Sequence, residues 1–472
     1  MLLQIHEPGE TPDIPQKKGA VLGIDFGTTN CVVALSRGGK TDIIPIEKRR
    51  LVPSLVSYKG GKVLVGDHAS DSDVVRSIKR FMEIGFDHIE QGKNAIDISA
   101  DILRHLKIEA EKVLQESIRG VVLTVPAYYG EMAREALRAA ALRADLAVLR
   151  LLNEPTAAAL AYHLDSQEEG IYLVYDLGGG TFDVSVLHLQ KGIFQVLSVS
   201  GDPRLGGDDM DEALVSLLET SVGLLPKKEG VVIARDVKEA LTLKPYWEGT
   251  VQGKKVKVTQ EIMNGLIHPF IKRTLTLCDQ ALRDAGVVRS DIKATILVGG
   301  PTRIPFLQKE LKDFFGKDPL CSLNPDEAVA LGAALHAESL VTGKGNLLID
   351  VTPFSLGIET LNGVVETLIP RNSPLPCSVS QHFTTGTEGQ TKIKIHVVQL
   401  EENGKRVPKS LGTFVLSGIP PLPAGKPQLK VTLTLDADGI LLVSAEESIS
   451  GEKQAVHIKP SFQRIQTSNC NE

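Results

Sequence analysis

Two stretches, far apart in the chain, set an Asp and threonine around a glycine turn at the end of an apolar run. They are Val21-Leu22-Gly23-Ile24-Asp25-Phe26-Gly27-Thr28-Thr29 and Val174-Tyr175-Asp176-Leu177-Gly178-Gly179-Gly180-Thr181-Phe182-Asp183. Strand-like residues follow each, Cys31 to Leu35 and Val184 to Leu189, so each reads as a hairpin with Gly and Thr at its tip. Glycine lets backbone N–H groups close on an anion, and threonine hydroxyls add donors. A neighbouring Asp suits a cation that accompanies a phosphate. Two such hairpins facing each other would clamp a metal–polyphosphate from both sides. A single glycine hairpin is most often only a turn; the repeat is what points to phosphate. The triple glycine also looks like a dinucleotide fingerprint, but that motif needs Gly-x-Gly-x-x-Gly running straight into a helix. Here Asp183 holds the third glycine position and alternating Val184, Val186 and Leu189 follow, so a dehydrogenase is excluded.

The elements that would position these loops come from a chain of 472 residues, long enough for two or three domains. A net charge of −6 argues against nucleic acid as a main partner. Cysteines stand alone at 31, 278, 321, 377 and 470, an odd count without CxxC spacing. That pattern implies a reducing compartment and no zinc or iron–sulfur site of the chain's own. Cys470 is expected to be exposed and the other four to fill cores. No signal-peptide core and no run of membrane-spanning length is present, so a soluble cytoplasmic protein is expected, with residues 1–18 as a flexible leader.

Over residues 19–342 strands and helices alternate. Ile102, Leu106 and Ala110 recur at helical spacing, Glu131 to Ala144 is rich in helix formers, and Val121 to Val125 is a buried-strand run ended by Pro126. Thr295 to Val298 is another strand, followed by Gly299-Gly300 and a helix from Pro305. The class is α/β, and the two hairpins imply two similar lobes. Residues 343–351 read as a linker that is apolar at Leu347-Leu348-Ile349, hence able to dock. From 352 to 460 helix signals vanish: Asn362-Gly363 marks a hairpin, and Ile393, Ile395, Val431 and Leu433 alternate with polar residues. A small antiparallel β sandwich is predicted, then a polar tail at 461–472.

These motifs resemble the seventy-kilodalton heat-shock, DnaK-like chaperone family over about residues 20 to 460. Beside the two hairpins, the resemblance is carried by Val125-Pro126-Ala127, Asn153-Glu154-Pro155-Thr156-Ala157-Ala158, Leu205-Gly206-Gly207-Asp208-Asp209, Val298-Gly299-Gly300-Pro301-Thr302-Arg303-Ile304-Pro305 and Asn324-Pro325-Asp326-Glu327. Within the family the chain is most similar to the HscA-type branch that serves iron–sulfur cluster assembly. That likeness rests on Leu2 to Gly9, Leu149-Arg150-Leu151-Leu152-Asn153, the compact segment Ala240 to Val251, and Pro420-Pro421-Leu422-Pro423-Ala424-Gly425. The resemblance implies a two-lobed, actin-like ATPase domain followed by a peptide-binding β sandwich.

Site residues follow from the resemblance. Asp25, Asp176 and Asp183 would hold the hydration shell of Mg²⁺, with Glu154 near the metal and K⁺ as an optional companion. Gly27, Thr28, Thr29, Asn30 and the run Gly178, Gly179, Gly180 and Thr181 would cradle the phosphates of ATP or ADP. Lys79 would contact the γ-phosphate and orient the attacking water; taken alone, a lysine in a charged stretch is ordinarily just solvated. Positioning and charge neutralisation dominate phosphoryl transfer, so few catalytic groups are needed. Adenosine would meet Gly299, Gly300, Arg303, Asp326, Lys238 and Thr242. Two departures from the family pattern, Pro301 for a serine and Arg235 for a ribose-contacting Glu, predict weaker nucleotide binding.

Pro126 and Arg150 match the family's proline switch and relay arginine, and Leu347, Leu348 and Asp350 its docking linker. Ile358, Thr360, Leu361, Phe383, Gly386, Ile393, Ile395 and Leu429 map to a peptide groove, although alternating apolar residues are more often sheet core. The chain stops before the long helical lid of relatives, from which faster peptide release is expected. The implied partners are client peptides, above all an iron–sulfur scaffold protein, and a J-type co-chaperone, with the chain itself a monomer that engages neither nucleic acid nor membrane. The rival readings are a general folding chaperone, an actin-fold small-molecule kinase, and a nucleotide-binding regulator without turnover.

Overall fold

The computed structural model describes residues 19–69, 74–82, 92–166, 168–400, 408–448 and 453–457. The expected leader, tail and Cys470 lie outside these residues.

Both glycine motifs are hairpins at the centre of a sheet. In the first sheet, Ala20–Phe26 pairs antiparallel with Asn30–Arg37 and parallel with Ile118–Val125; Lys40–Ile43 and Val148–Asn153 close the edges. In the second, Gly170–Leu177 pairs antiparallel with Phe182–Gln190 and parallel with Ile292–Val298, and Ile193–Asp202 extends the hairpin side. The same pairing pattern built twice is the duplication implied by the repeated motif.

Sheet one buries Leu22, Ile24, Val33, Val121 and Leu123 against the helices Ala95–Leu114 and Glu131–Arg143. At the first of these helices Asn94 and Asp97 form a reciprocal capping box, which satisfies two otherwise unpaired N–H groups. Sheet two packs Leu173, Tyr175, Phe182 and Val184 against Gly207–Val222, Lys227–Leu243 and the long helix Gln260–Asp284. Burying each such aliphatic side chain stabilises the fold by about 1.5–3 kcal/mol.

Between the sheets lie two helices of small residues, Glu154–Ser166 and Ala328–Thr342. A methyl on Gly332 would lie 1.7 Å from the Ala157 carbonyl, and one on Gly23 only 2.1 Å from the Ala334 nitrogen. Glycine and alanine at these positions let the two halves approach backbone to backbone. Here the cleft walls are set.

The described residues between 352 and 457 fold as two four-stranded antiparallel sheets whose facing side chains make one core, including Leu356, Ile395, Leu416, Val431 and Leu441. This is the β sandwich expected from the alternation. One cysteine expectation fails: Cys321 is exposed, in the irregular loop after Phe315. Cys377 opens an edge strand and is half-buried against the sandwich core. Cys31 and Cys278 are buried as expected.

Candidate functional site: a nucleotide cleft between two hairpins

The two hairpin tips meet across a cleft of about 720 Å³. A methyl on Gly179 would fall 2.0 Å from Thr29 Oγ1, and one on Gly180 would fall 2.9 Å from Thr28 Cγ2 and 2.4 Å from Arg80 Nε. Side chains at these glycines would therefore wedge the tips apart. The tips form two facing loops of backbone N–H groups and threonine hydroxyls, with Gly27, Asn30, Gly178 and Thr181 completing the lining. Such loops receive a chain of phosphates.

The floor is acidic. Asp176, Asp183, Glu154 and Lys79 are all buried, and Asp25 is half-buried beside them. Thr124 Oγ1 donates to Asp25 at 3.0 Å, and the Tyr128 N–H donates to Asp183 at 2.9 Å. Lys79 Nζ forms an ion pair with Glu154. Burial, then repulsion from Glu154, pushes Asp25 up to about 7 and Asp183 up to about 7. Asp176 is raised well above the carboxylate range by burial and then by Glu154, Asp183 and Asp25. Burial opposes the charge of Lys79, yet Glu154 and Asp25 outweigh it and its pKa is raised.

This crowd of carboxylates is costly without a cation, and Asp176 Oδ2 is buried with no hydrogen-bond partner. The donors are all hard oxygens, which suit Mg²⁺. Among the described residues no three acidic, histidine or cysteine side chains converge closely enough to ligate an ion directly. A hydrated Mg²⁺, which keeps several of its waters, is the cation whose chemistry these oxygen donors fit.

At the mouth, Gly299, Gly300, Arg303, Asp326, Lys238 and Thr242 line the same cleft as the phosphate loops. Gly299 has φ +87°, and a methyl there would lie 2.1 Å from the Leu177 carbonyl, so only glycine fits. Arg303 is fixed by Asp326 at 2.6 Å, and Lys238 by the Gly207 carbonyl and Asp211. Thr242 Oγ1 donates to the Lys238 carbonyl within its helix. The two departures have local explanations. Pro301 occupies the first turn of the short helix Gly300–Arg303, where a backbone N–H has no intrahelical acceptor, so proline is tolerated. Arg235 is tied to Asp208 at 3.0 Å and Asp211 at 3.3 Å.

The Hsp70 protein family profile matches residues 21–96, 81–248 and 247–471. The chain is also similar to "Chaperone protein HscA homolog" of Aliivibrio fischeri strain MJ11, 41% identical over 502 residues that span 98% of this chain and 81% of that protein. "Chaperone protein HscA" of Edwardsiella ictaluri is 42% identical over 98% of this chain and 81% of its own length. A "Chaperone protein HscA homolog" of Burkholderia lata is 43% identical over the same shares. The chain belongs to the Hsp70 family. Hsp70 proteins and the HscA relatives are ATPases and chaperones.

Behind the cleft the Hsp70 chain connects to its β sandwich through residues 126–134. The Tyr128 N–H holds Asp183, and Tyr129 Oη donates to the Lys79 carbonyl at 2.6 Å. Arg134, entirely buried, donates to the Tyr129 carbonyl, to Asn153 Oδ1 at 2.7 Å, and to the Asp438 carbonyl of the sandwich at 3.2 Å. The Tyr128 ring meets Phe354 edge-on at 4.6 Å. Glu131 accepts the Leu441 N–H at 2.8 Å, and Asp438 accepts the Leu151 N–H at 3.0 Å. Arg150 contributes only a longer contact of 3.6 Å to Asp438. Sequence reasoning selected Pro126 and Arg150 but missed Glu131, Arg134 and Asp438. A charged residue on an alanine-rich helix reads as solvated face, and the only available signal was that Arg134 sits eight residues past Pro126.

Leu347–Ile349 adds a parallel strand to the edge of sheet two, beside Ile193–Gln195. Strand alternation leaves Leu347 58% exposed while Leu348 packs inward, so docking buries fewer apolar side chains than a count of three implies. Asp350 is buried and accepts from Thr156 Oγ1 at 3.3 Å and the Val351 N–H at 2.8 Å.

In the sandwich the candidate groove residues separate. Ile358, Ile395 and Leu429 lie in the core, because their register points them between the sheets, and a peptide cannot reach them while the sheets are packed. Phe383 and Ile393 are half-buried against that core. Leu361 is 74% exposed and leans over Gly386, where a methyl would lie 3.0 Å from Leu361 Cδ1. Thr360 closes the turn beneath it through the Val364 carbonyl.

Proposed function

We propose that this Hsp70 chain is an ATP-driven peptide-binding chaperone. Residues 19–342 are its actin-like, two-lobed ATPase domain, 343–351 its linker and 352–460 its substrate domain. The observation that carries the reading is the continuous set of bonds from the cleft floor to the sandwich: Asp183 to Tyr128, Lys79 to Tyr129, and Arg134 onward to Asp438.

In this reading the facing hairpins bind the β- and γ-phosphates, and Asp25, Asp176, Asp183 and Glu154 hold hydrated Mg²⁺, with K⁺ beside it when present. Mg²⁺, when bound, offsets phosphate charge. Lys79 leaves its pairing with Glu154 enough to present Nζ to the γ-phosphate and the attacking water. Any shift of Asp183 or Lys79 moves residues 126–134, and with them the seat of the sandwich. ATP would favour the docked form with the peptide site open, at Leu361, Thr360, Gly386, Phe383 and Ile393, and hydrolysis would release the sandwich to close. Coupling of about 1–3 kcal/mol is sufficient for this.

The likeness to chaperones named HscA supports a client in iron–sulfur cluster assembly, a scaffold protein delivered by a J-type co-chaperone in the cytoplasm. Steady-state ATPase measured with a J-type partner, a scaffold-derived peptide, and both together tests this. Synergistic stimulation by the pair is expected; stimulation by generic unfolded peptides alone would favour a general folding chaperone.

A further inference from the structure

Most cations that line the cleft are committed to protein partners. Lys79 pairs with Glu154, Arg235 with Asp208 and Asp211, Lys238 with Asp211, and Arg303 with Asp326. Arg76 differs. It lines the cleft and is exposed, and among the described residues its guanidinium makes no hydrogen bond or ion pair.

Arg76 stands three residues before Lys79 and lines the same cleft as Arg235. Its flanking Val75 and Ile78 belong to the first core, whereas Ala234 and Val237 beside Arg235 belong to the second, so the two arginines stand on opposite walls. Ser77 next to it bridges the walls by donating to Asp208 Oδ2 at 3.0 Å. Ser77 itself has φ +51°, a left-handed conformation that a serine holds only when its surroundings fix it. Asp208 accepts from both Ser77 and Arg235, so its single negative charge is shared between Arg235 and Arg76. One carboxylate against two guanidiniums leaves net positive charge at the mouth, which a bound anion would offset. Asp208 also lies 3.6 Å from where a methyl on Gly179 would sit, which places this pair beside the phosphate loop.

We propose that Arg76 is a phosphate contact of the bound nucleotide, gripping it from the wall opposite Arg235. The proposal rests on the nucleotide reading of the cleft, and it adds a cation to the substrate that Lys79 alone does not supply.

The test is calorimetric binding of MgATP, MgADP and adenosine to the wild-type chain and to R76A and R76K, over a series of salt concentrations. Loss of one charge-assisted hydrogen bond predicts about tenfold weaker MgATP binding for R76A. Partial recovery is expected in R76K, with a shallower salt dependence in R76A. Adenosine affinity stays unchanged. If R76A binds MgATP as the wild type does, with the same salt dependence, the contact does not exist while the cleft reading stands. Equal weakening of adenosine would place Arg76 on the nucleoside and overturn the phosphate assignment. If the wild type binds no nucleotide at all, the cleft reading itself fails and takes this inference with it. Arg76 is exposed, and a thermal melt matching the wild type checks that R76A folds.

Discussion

Lys79 is a lysine whose charge burial alone would suppress and whose carboxylate neighbours restore it. That balance suits a group that must be cationic in a water-poor site and still transfer its attention from Glu154 to a phosphate. Replacing it with alanine leaves the hairpin tips and the mouth intact. K79A should therefore bind MgATP while losing turnover by about 100-fold or more, the scale of removing one preorganised donor. Single-turnover hydrolysis with bound radiolabelled ATP measures it, and near wild-type turnover would remove Lys79 from the chemistry. At this scale the sequence was informative where residue type is tied to backbone geometry: glycines at tips, carboxylates beside them. It was uninformative where an ordinary charged residue is made special by tertiary burial. Arg134 is indistinguishable in sequence from Arg138 on the same helix. Yet Arg134 is buried with four acceptors, whereas Arg138 makes one surface contact to Asp438.

At the scale of elements, the helix Glu131–Arg143 is both a wall of the first core and the seat of the sandwich. Glu131, its first residue, is buried at that seat, with Oε1 on the Leu441 N–H and Oε2 without a partner. Burial foremost, then Glu135 and Asp436, outweigh the Leu441 N–H and Arg134 and push it up to about 8. Undocking would return this carboxyl to solvent and to its ordinary value of 4.5. A pKa raised in the docked form means that the docked form holds the proton, so docking is strongest below the ordinary value and weakens as pH rises through about 8. Within that window the change approaches about 1.4 kcal/mol per pH unit. Interdomain fluorescence transfer should accordingly fall between about pH 5 and pH 8 and level off above that, and E131Q, neutral throughout, should flatten the profile. An identical profile in E131Q would assign the pH dependence elsewhere. The hairpins and the sandwich were legible because period-2 alternation and turn glycines are local signals. The inward set Ile358, Ile395 and Leu429 was not separable from a binding surface, since core and groove faces of one strand share the same alternation.

For the whole molecule, the two sheets, the small-residue helices between them, the docked strand Leu347–Ile349 and the sandwich form one connected assembly in which the cleft floor and Asp438 share neighbours. A small-molecule kinase would have no use for this connection. The central claim is that nucleotide state in the cleft controls the grip of the sandwich on peptide. The most direct measurement is the dissociation rate of a fluorescent scaffold-derived peptide after mixing with MgATP or MgADP. Release should be accelerated at least about tenfold by MgATP over MgADP, which corresponds to about 1.4 kcal/mol of coupling. Equal release rates in the two nucleotides would contradict it.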